Sequence, residues 1–503
     1  MKNIKIYFTS DTHGFIYPTD YKDNNLKNIG LLNIINEFKK DPNTLIIDGG
    51  DTIQGSPFIT FLSNKKFKDH PLSLVMNIGK YDFITLGNHD FNYGYSYLEK
   101  YLNGLNCECI CSNVLDKQDK LPIKPYSIKT LENGLKVGLI GLTTEFIPIW
   151  ENPQNLINID ILNSFETCKK YHDLLKDKVD LLILVYHGGF ENDIDTGKSL
   201  SKTTENIAYK ICKELKFDLI LTGHQHMEIE NKELFNTHIV QPSNNAKKYA
   251  LINVDIAKNK KYITSKLITP KINPNNECLE KLLPLEKDVQ IWLDTPVGFL
   301  DIPLIPKSHL EMAIEGSYLA NFVNDVQLEI SKADISCTSF ANSIKGFNKE
   351  VTIRDIVSTY IYPNTLVVLE VTGEILKKAL IRSSEYFKLE NGNISISENF
   401  LKPKVAHYNY DYFSNIEYTF DLNKTGAERV SSFKYKEKEI KNTDTFSLVM
   451  NNYRASGVSG YKFFKECKVL KEIQIEMPEI LIAYFRKYKN VKVNKKKWIK
   501  IKY

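Results

Sequence analysis

The sequence has no long hydrophobic run. Nowhere in its 503 residues is there anything near the roughly 20 consecutive apolar residues that a membrane-crossing helix needs, which excludes a helical membrane protein. The opening "MKNIKIYFTSDTHG" alternates and reaches polar residues at once. It lacks the apolar stretch of roughly 7 to 15 residues and the small-residue cleavage site of a secretory signal, so a soluble, cytoplasmic protein is expected. Net charge is also scarce: 66 Lys and Arg against 61 Asp and Glu leave +5, too little to point to a nucleic-acid partner. There is no internal repeat and no low-complexity segment, and 42% hydrophobic with 25% charged residues is a globular balance. Cysteines number eight. Three of them, Cys107, Cys109 and Cys111 in "LNCECICSNV", alternate at strand spacing, whereas sulfur-rich zinc sites usually space their ligands by two to four residues. They read as reduced strand residues, with a metal site as the alternative.

What is present is enough chain for two cores. The first half repeats a short β-branched run, a polar loop and a helical pattern such as "LKNIGLLNIINEFKK". The runs are Ile4 to Phe8, Leu45 to Ile47, Phe83 to Leu86, Leu181 to Val185 and Leu219 to Leu221. This rhythm predicts an α/β sandwich around parallel or mixed sheets. Residues 1–270 are expected to form the first domain, 271–296 a linker with a charged helix over Glu277 to Leu293, and 297–503 the second domain. The second half mixes helical stretches ("SYLANFVNDVQLEISK", "TGEILKKALIRSSEYF") with strands ("NTLVVLEVTG", "TFSLVMNNY"). Its basic end, "RKYKNVKVNKKKWIKIKY", reads as a solvated face, with a phosphate-binding tail as the alternative.

Each of the five runs is followed by a side chain able to hold a metal. These are Asp11 and His13 in "FTSDTHG", Asp51 in "IIDGGDTIQG", Asn88 and His89 in "FITLGNHDF", His187 in "LLILVYHGG", and His224 and His226 in "LILTGHQHM". One such loop alone is an ordinary polar loop. Strand ends on one edge of an α/β sheet, however, converge on a common crevice, and these loops hold five of the ten histidines. Two carboxylates, one amide and four imidazoles exceed the needs of one ion, and a carboxylate such as Asp51 can bridge two ions about 3.5 to 4 Å apart. With no thiolate in the set, manganese, zinc, iron or cobalt are expected, as two divalent ions.

In this order D-x-H, G-D-x-x-Q-G, G-N-H-[DE], H-x-G and G-H-x-H resemble the calcineurin-like metallophosphoesterases, over residues 1 to about 250. The resemblance implies an αββα sandwich. It places one metal on Asp11, His13, Asp51 and His226, and a second on Asp51, Asn88, His187 and His224. It makes His89 the catalytic histidine that is not a ligand. "ADISCTSFANS", "TIRDIVSTYIYPNTLVVLEVTG" and "NNYRASGVSGY" extend the resemblance to the C-terminal α+β domain of the 5'-nucleotidase and 2',3'-cyclic-nucleotide phosphodiesterase family. There Tyr362 and Tyr453 match the two positions that stack a nucleobase, with Asn364, Arg454 and Gly457 in the same motifs as substrate-binding positions. Without the resemblance, each tyrosine would read as core.

Two departures sort the branches of that family. Where the 5'-nucleotidase branch has an arginine after a glycine run, this chain has "FANSIKG", with Asn342 and Ser343. Where that branch has an aspartate to orient the catalytic histidine, this chain has Asn92, which can hydrogen-bond an imidazole but brings no charge. "GNHDFNYG" and "TDYKDN" are closer to the branch that acts on 2',3'-cyclic nucleotides and 3'-nucleotides. The expected function is therefore two-metal hydrolysis of those esters, with 5'-nucleotides as the runner-up and a non-catalytic nucleotide-binding protein as the outside alternative. The expected partner is a small nucleotide, with no nucleic acid, no membrane and no obligate protein partner.

Overall fold

In a computed structural model, residues 2–503 are described except 24, 201, 202, 258, 259, 363, 403 and 474. The chain divides into two compact units, Met1–Val289 and Gln290–Tyr503, with the boundary inside the helix Asn276–Leu293.

The first unit holds a seven-stranded and a six-stranded sheet among the described residues. All five β-branched runs are strands, at Lys2–Thr9, Thr44–Asp48, Phe83–Ile84, Leu181–His187 and Leu219–Thr222. The alternation of side chains explains the layers. Ile4, Ile6 and Phe8 of one sheet share a core with Leu181, Ile183 and Val185 of the other. The intervening Leu182, Leu184 and Tyr186 join Cys168, Leu175, Ala208 and Ile211 in a second core, the last four lying on or beside the helices Ser164–Leu175 and Ala208–Glu214. A strand buried on both faces must be apolar throughout, which is why "LLILVY" carries no polar break. On the other sheet Tyr7 faces away from the shared core and meets Phe38, with ring centroids 4.7 Å apart.

The central strands are parallel, so their C-terminal ends lie side by side. Thr9 pairs with Asp48, and Asp48 with Ile84. Tyr186 pairs with Thr222, and His187 with Thr143. The loops leaving these ends carry the sequence's metal-capable residues.

The second unit is built on a five-stranded sheet with strand order Tyr412–Ser414, Ile335–Thr338, Thr445–Asn451, Leu366–Thr372, Lys468–Ile473. The helical stretches read from sequence are the helices Tyr318–Ser331 and Gly373–Ser384. The basic end closes as the strand Ile499–Lys502, parallel to Ile416–Asp421. The eight cysteines are free thiols. Of the alternating three, Cys109 and Cys111 are buried and Cys107 is half-buried, and the strand itself is only Glu108–Ile110.

Candidate metal centre

Five of the seven expected ligands, Asp11, His13, Asp51, His224 and His226, have positive φ angles between 49° and 68°. Left-handed backbone costs an ordinary residue on the order of 1 kcal/mol, and Asp, Asn and His tolerate it best. The strain follows from geometry: each chain must turn sharply off its strand to aim a short side chain back over the sheet edge. The turns are held from behind. Asp90, two residues after Asn88, accepts the backbone N–H groups of Asp51 (2.9 Å), Thr52 (2.8 Å), Ile53 (3.1 Å) and Gly87 (2.8 Å). The His224 N–H donates to Asp11 Oδ1 at 2.9 Å, and the His89 N–H to Asp51 Oδ1 at 2.7 Å.

The side chains gather in two overlapping groups, Asp11 with His13 and His226, and Asp11 with Asp51 and His187, with candidate ligand atoms within 4.8 Å of one another in each. Asp11, Asp51 and His187 are almost wholly buried, and burying such charges costs several kcal/mol unless something compensates. The fit to a cation is read from ring nitrogens that are turned toward carboxylates and toward one another. His187 Nδ1 lies 2.7 Å from the Gly49 carbonyl and must donate to it, which turns Nε2 toward Asp51 Oδ2 at 3.1 Å. That buried Nε2 also faces Asp11 Oδ1, at 4.0 Å. His13 Nδ1 likewise meets the Gln54 carbonyl at 3.0 Å, leaving its Nε2 facing His226 Nε2 at 3.2 Å. Two imidazole nitrogens and two carboxylates turned inward are a donor set for a hard or borderline divalent ion.

The electrostatics agree. Burial opposes charge on the His187 imidazole, but the Asp51 and Asp11 carboxylates outweigh it and lift His187 to about 10. Burial also opposes charge on Asp11, and His187 and His226 together bring it down to about 2. Burial lowers His13 to about 4, against the pull of Asp51. In the protein alone, a proton on His187 does the work a cation would do.

Asn88 and His224 adjoin the same loops: His224 Nδ1 lies 2.8 Å from Asn88 Oδ1. The other ring nitrogen of His224 meets Glu205 Oε1 at 3.0 Å, and its face stacks on Trp150 at 5.5 Å and 20°. His89 stands beside His13, ring centroids 5.4 Å apart, with its Nδ1 2.7 Å from Asn92 Oδ1. Sequence reasoning missed Glu205, Trp150 and Glu151. Each lies well beyond the strand end that precedes it, Thr143 or His187, and the dipeptide "WE" within "FIPIWENPQ" carries no spacing signal.

In the second unit, the antiparallel pairing of Leu366 with Asn451 sets the Tyr362 and Tyr453 loops at one end of one sheet. Burial raises the Tyr362 phenol, and Tyr408 and Tyr453 add to the effect, so three tyrosines gather there. Tyr408 was not singled out from sequence. Arg454 is anchored within the protein, with its Nη1 alone left without a hydrogen-bond partner among the described residues. It is 1% exposed, its Nε is 2.9 Å from Asp411 Oδ2, its Nη2 donates to the Tyr408 carbonyl at 2.9 Å, and its guanidinium lies 4.0 Å over Tyr461. It pins the segments carrying Tyr408 and Tyr453. Gly457 is buried at φ 81° against Tyr461, Lys462 and Lys465, which is a turn requirement. The Asn364 carbonyl accepts the Met477 N–H at 2.9 Å.

Comparison with known proteins matches this division. The calcineurin-like phosphoesterase family matches residues 4–228, and the 5'-nucleotidase C-terminal domain family residues 296–466. A crystal structure of a candidate 5'-nucleotidase from Staphylococcus aureus, in complex with α-ketoglutarate, is 32% identical, covers 100% of both chains and superposes with a TM-score of 0.92. The 2',3'-cyclic-nucleotide 2'-phosphodiesterase/3'-nucleotidase of Salmonella typhimurium is 24% identical over 90% of this chain and 81% of its own. The trifunctional nucleotide phosphoesterase of Bacillus subtilis is 24% identical over 97% of this chain, which spans 38% of that longer protein. The chain belongs to the calcineurin-like metallophosphoesterases that carry a 5'-nucleotidase C-terminal domain, and is a nucleotide phosphoesterase of that family.

Proposed function

We propose that the protein hydrolyses 2',3'-cyclic nucleotides and 3'-nucleotides in preference to 5'-nucleotides. The observation that carries the reading is the pairing of His89 with Asn92 rather than with an aspartate, at 2.7 Å. Asn342 supports it. Its Nδ2 donates to the Val405 carbonyl at 2.7 Å and its Oδ1 accepts the His407 N–H at 2.9 Å, so its amide is engaged in holding a neighbouring segment. No arginine clamp for a 5'-phosphate stands at that position. A relative named for the cyclic and 3' activities covers nine-tenths of the chain. A second reading, for 5'-nucleotides, is favoured by the Staphylococcus aureus protein.

In this reading Asp11, His13, Asp51 and His226 would hold one divalent ion, and Asp51, Asn88, His187 and His224 a second. When bound, such a pair supplies Lewis acidity and neutralises charge on the phosphoryl oxygens. His89 delivers a proton from Nε2 to the departing sugar oxygen. Tyr362 and Tyr453 stack the base, a contact every base can make and worth about 1 to 3 kcal/mol.

The test is kcat/KM for 2',3'-cyclic AMP, 3'-AMP and 5'-AMP in one metal buffer. A charge-assisted contact is worth roughly 1.5 to 3 kcal/mol, so the cyclic and 3' substrates should lead by at least about tenfold. If 5'-AMP is the best substrate, the preference is wrong. If none is turned over with any of the four metals, the activity is wrong.

A further inference from the structure

The Asn92 amide does not end the chain of contacts behind His89. Its Nδ2 lies 2.5 Å from Glu151 Oε2. The other carboxylate oxygen, Oε1, accepts the Asn152 backbone N–H at 2.7 Å and Asn155 Nδ2 at 2.8 Å. Asn155 cannot be turned around, because the same Nδ2 donates to the Asn92 carbonyl at 2.9 Å. Glu151 is thus held by N–H groups on both oxygens, and each contact requires it to accept.

The directions follow from donor and acceptor inventory alone. An acceptor at Glu151 Oε2 obliges Asn92 to present its NH2 group there. That leaves Asn92 Oδ1 facing His89 Nδ1 at 2.7 Å, so Nδ1 must carry a hydrogen. Among the described residues no hydrogen bond reaches His89 Nε2, which is the ring atom left to face a substrate. A proton passed from Nε2 to a departing oxygen leaves the neutral Nδ1–H ring behind, and this arrangement accommodates that form.

We propose that Glu151 is a positioning residue for catalysis, acting through Asn92 to hold His89 as the Nδ1–H form and to supply, one amide away, the negative charge that Asn92 lacks. The histidine, amide and carboxylate work as one relay. The proposal rests on the phosphoesterase reading for the role of His89. The placement of the hydrogen rests on the contacts themselves.

The contacts specify an exchange that separates this relay from a merely structural glutamate. In Glu151→Gln, Oε1 stays fixed by its two donors, so the new NH2 group faces Asn92. The Asn92 amide must then turn over, present its own NH2 to His89 Nδ1, and force the ring into the Nε2–H form. In Asn92→Asp alone, two carboxylates meet at the 2.5 Å contact. In the double variant Asn92→Asp/Glu151→Gln, the new amide donates to the new carboxylate, which accepts from His89 Nδ1, and both charge and direction are restored.

Each single variant should lose about 10- to 100-fold in kcat, with KM within about threefold of the parent, and the double variant should return to within about threefold of the parent kcat. In 15N-histidine spectra of the zinc-loaded protein, the neutral His89 ring should be Nδ1–H in the parent and the double variant, and Nε2–H in Glu151→Gln. An unchanged ring form in Glu151→Gln, or a double variant no faster than the slower single, overturns the relay. Should the parent turn over no nucleotide, the phosphoesterase reading fails. The spectra then decide the relay by themselves: a switched form supports it and an unswitched form refutes it.

Discussion

Asp51 is tied to the site on several sides: its carboxylate meets His187 Nε2 at 3.1 Å and the His89 N–H at 2.7 Å, and its own N–H is held by Asp90 at 2.9 Å. The space around it is closed by Gly87. A Cβ at Gly87 would stand 2.2 Å from Asp51 Oδ1 and 2.5 Å from Asp51 N. Gly87 has an ordinary extended backbone, φ −98°, so alanine there is conformationally admissible, but both the carboxylate and the backbone N–H of Asp51 must give way. Gly87→Ala is therefore expected to lower metal affinity by about 10- to 100-fold, as displaced ligand supports do, and to lower the melting temperature as well, because the Asp51 backbone must shift. Calorimetric titration of the chelated protein with manganese checks it, and affinity equal to the parent's would mean that Asp51 is free to shift without loss.

The same residue shows what sequence could and could not tell. Asp51 was legible because it comes three residues after a strand whose last residue is Asp48, and a strand end fixes where a short loop goes. Glu151 and Glu205 reach the site through loops whose course depends on packing in three dimensions, and no spacing in "IPIWENPQ" or "TENIAY" encodes that. Arg454 sits in a motif read as substrate-binding; its Nε is held by Asp411 and its guanidinium lies over Tyr461, while its Nη1 has no hydrogen-bond partner among the described residues. Sequence located the motif, and the contacts that hold its longest side chain come from Asp411, outside it, and from Tyr461, its last residue.

At the scale of elements, strands buried on both faces were the most legible because burial forces them to be apolar. Helices were read too long where the pattern outran the packing: "LKNIGLLNIINEFKK" yields only Leu31–Glu37, ended by Phe38 turning to extended backbone. One cap carries a pH dependence. The helix Pro71–Ile78 begins at His70, whose Nδ1 accepts the Leu72 N–H at 3.2 Å, with the ring enclosed by Phe67, Tyr97 and Tyr101. Burial, with Lys100 adding to it, lowers this imidazole from 6.5 to about 3. A folded value below the unfolded one means the stabilisation is complete above pH 6.5 and is lost as pH falls toward about 3. At a pH of about 5 the loss amounts to about 2 kcal/mol. His70→Asn keeps a cap acceptor that does not titrate, so its melting temperature should fall less steeply than the parent's between pH values of about 7 and 5. Parallel curves would remove His70 from the acid response. His238, lowered to about 4 by burial, leaves a residual slope in both proteins.

At the scale of the molecule, the chain assigns different chemistry to its two units. The first converges carboxylates and imidazoles on one sheet edge, and the second gathers Tyr362, Tyr408 and Tyr453 at the end of another sheet. No helix among the described residues is long and apolar enough to cross a membrane. The central claim is that the converging side chains exist to hold two divalent ions that hydrolysis requires. The most direct measurement is hydrolysis of 2',3'-cyclic AMP by protein stripped with excess chelator and dialysed, then titrated with manganese, zinc, iron or cobalt while bound metal is counted. Activity should vanish on chelation and return as occupancy approaches about two ions per chain, and Asp51→Asn, which removes the carboxylate proposed to serve both ions, should lose at least about 100-fold and bind fewer ions. Full activity in the metal-free protein, or an Asp51→Asn variant as active as the parent, would contradict the account.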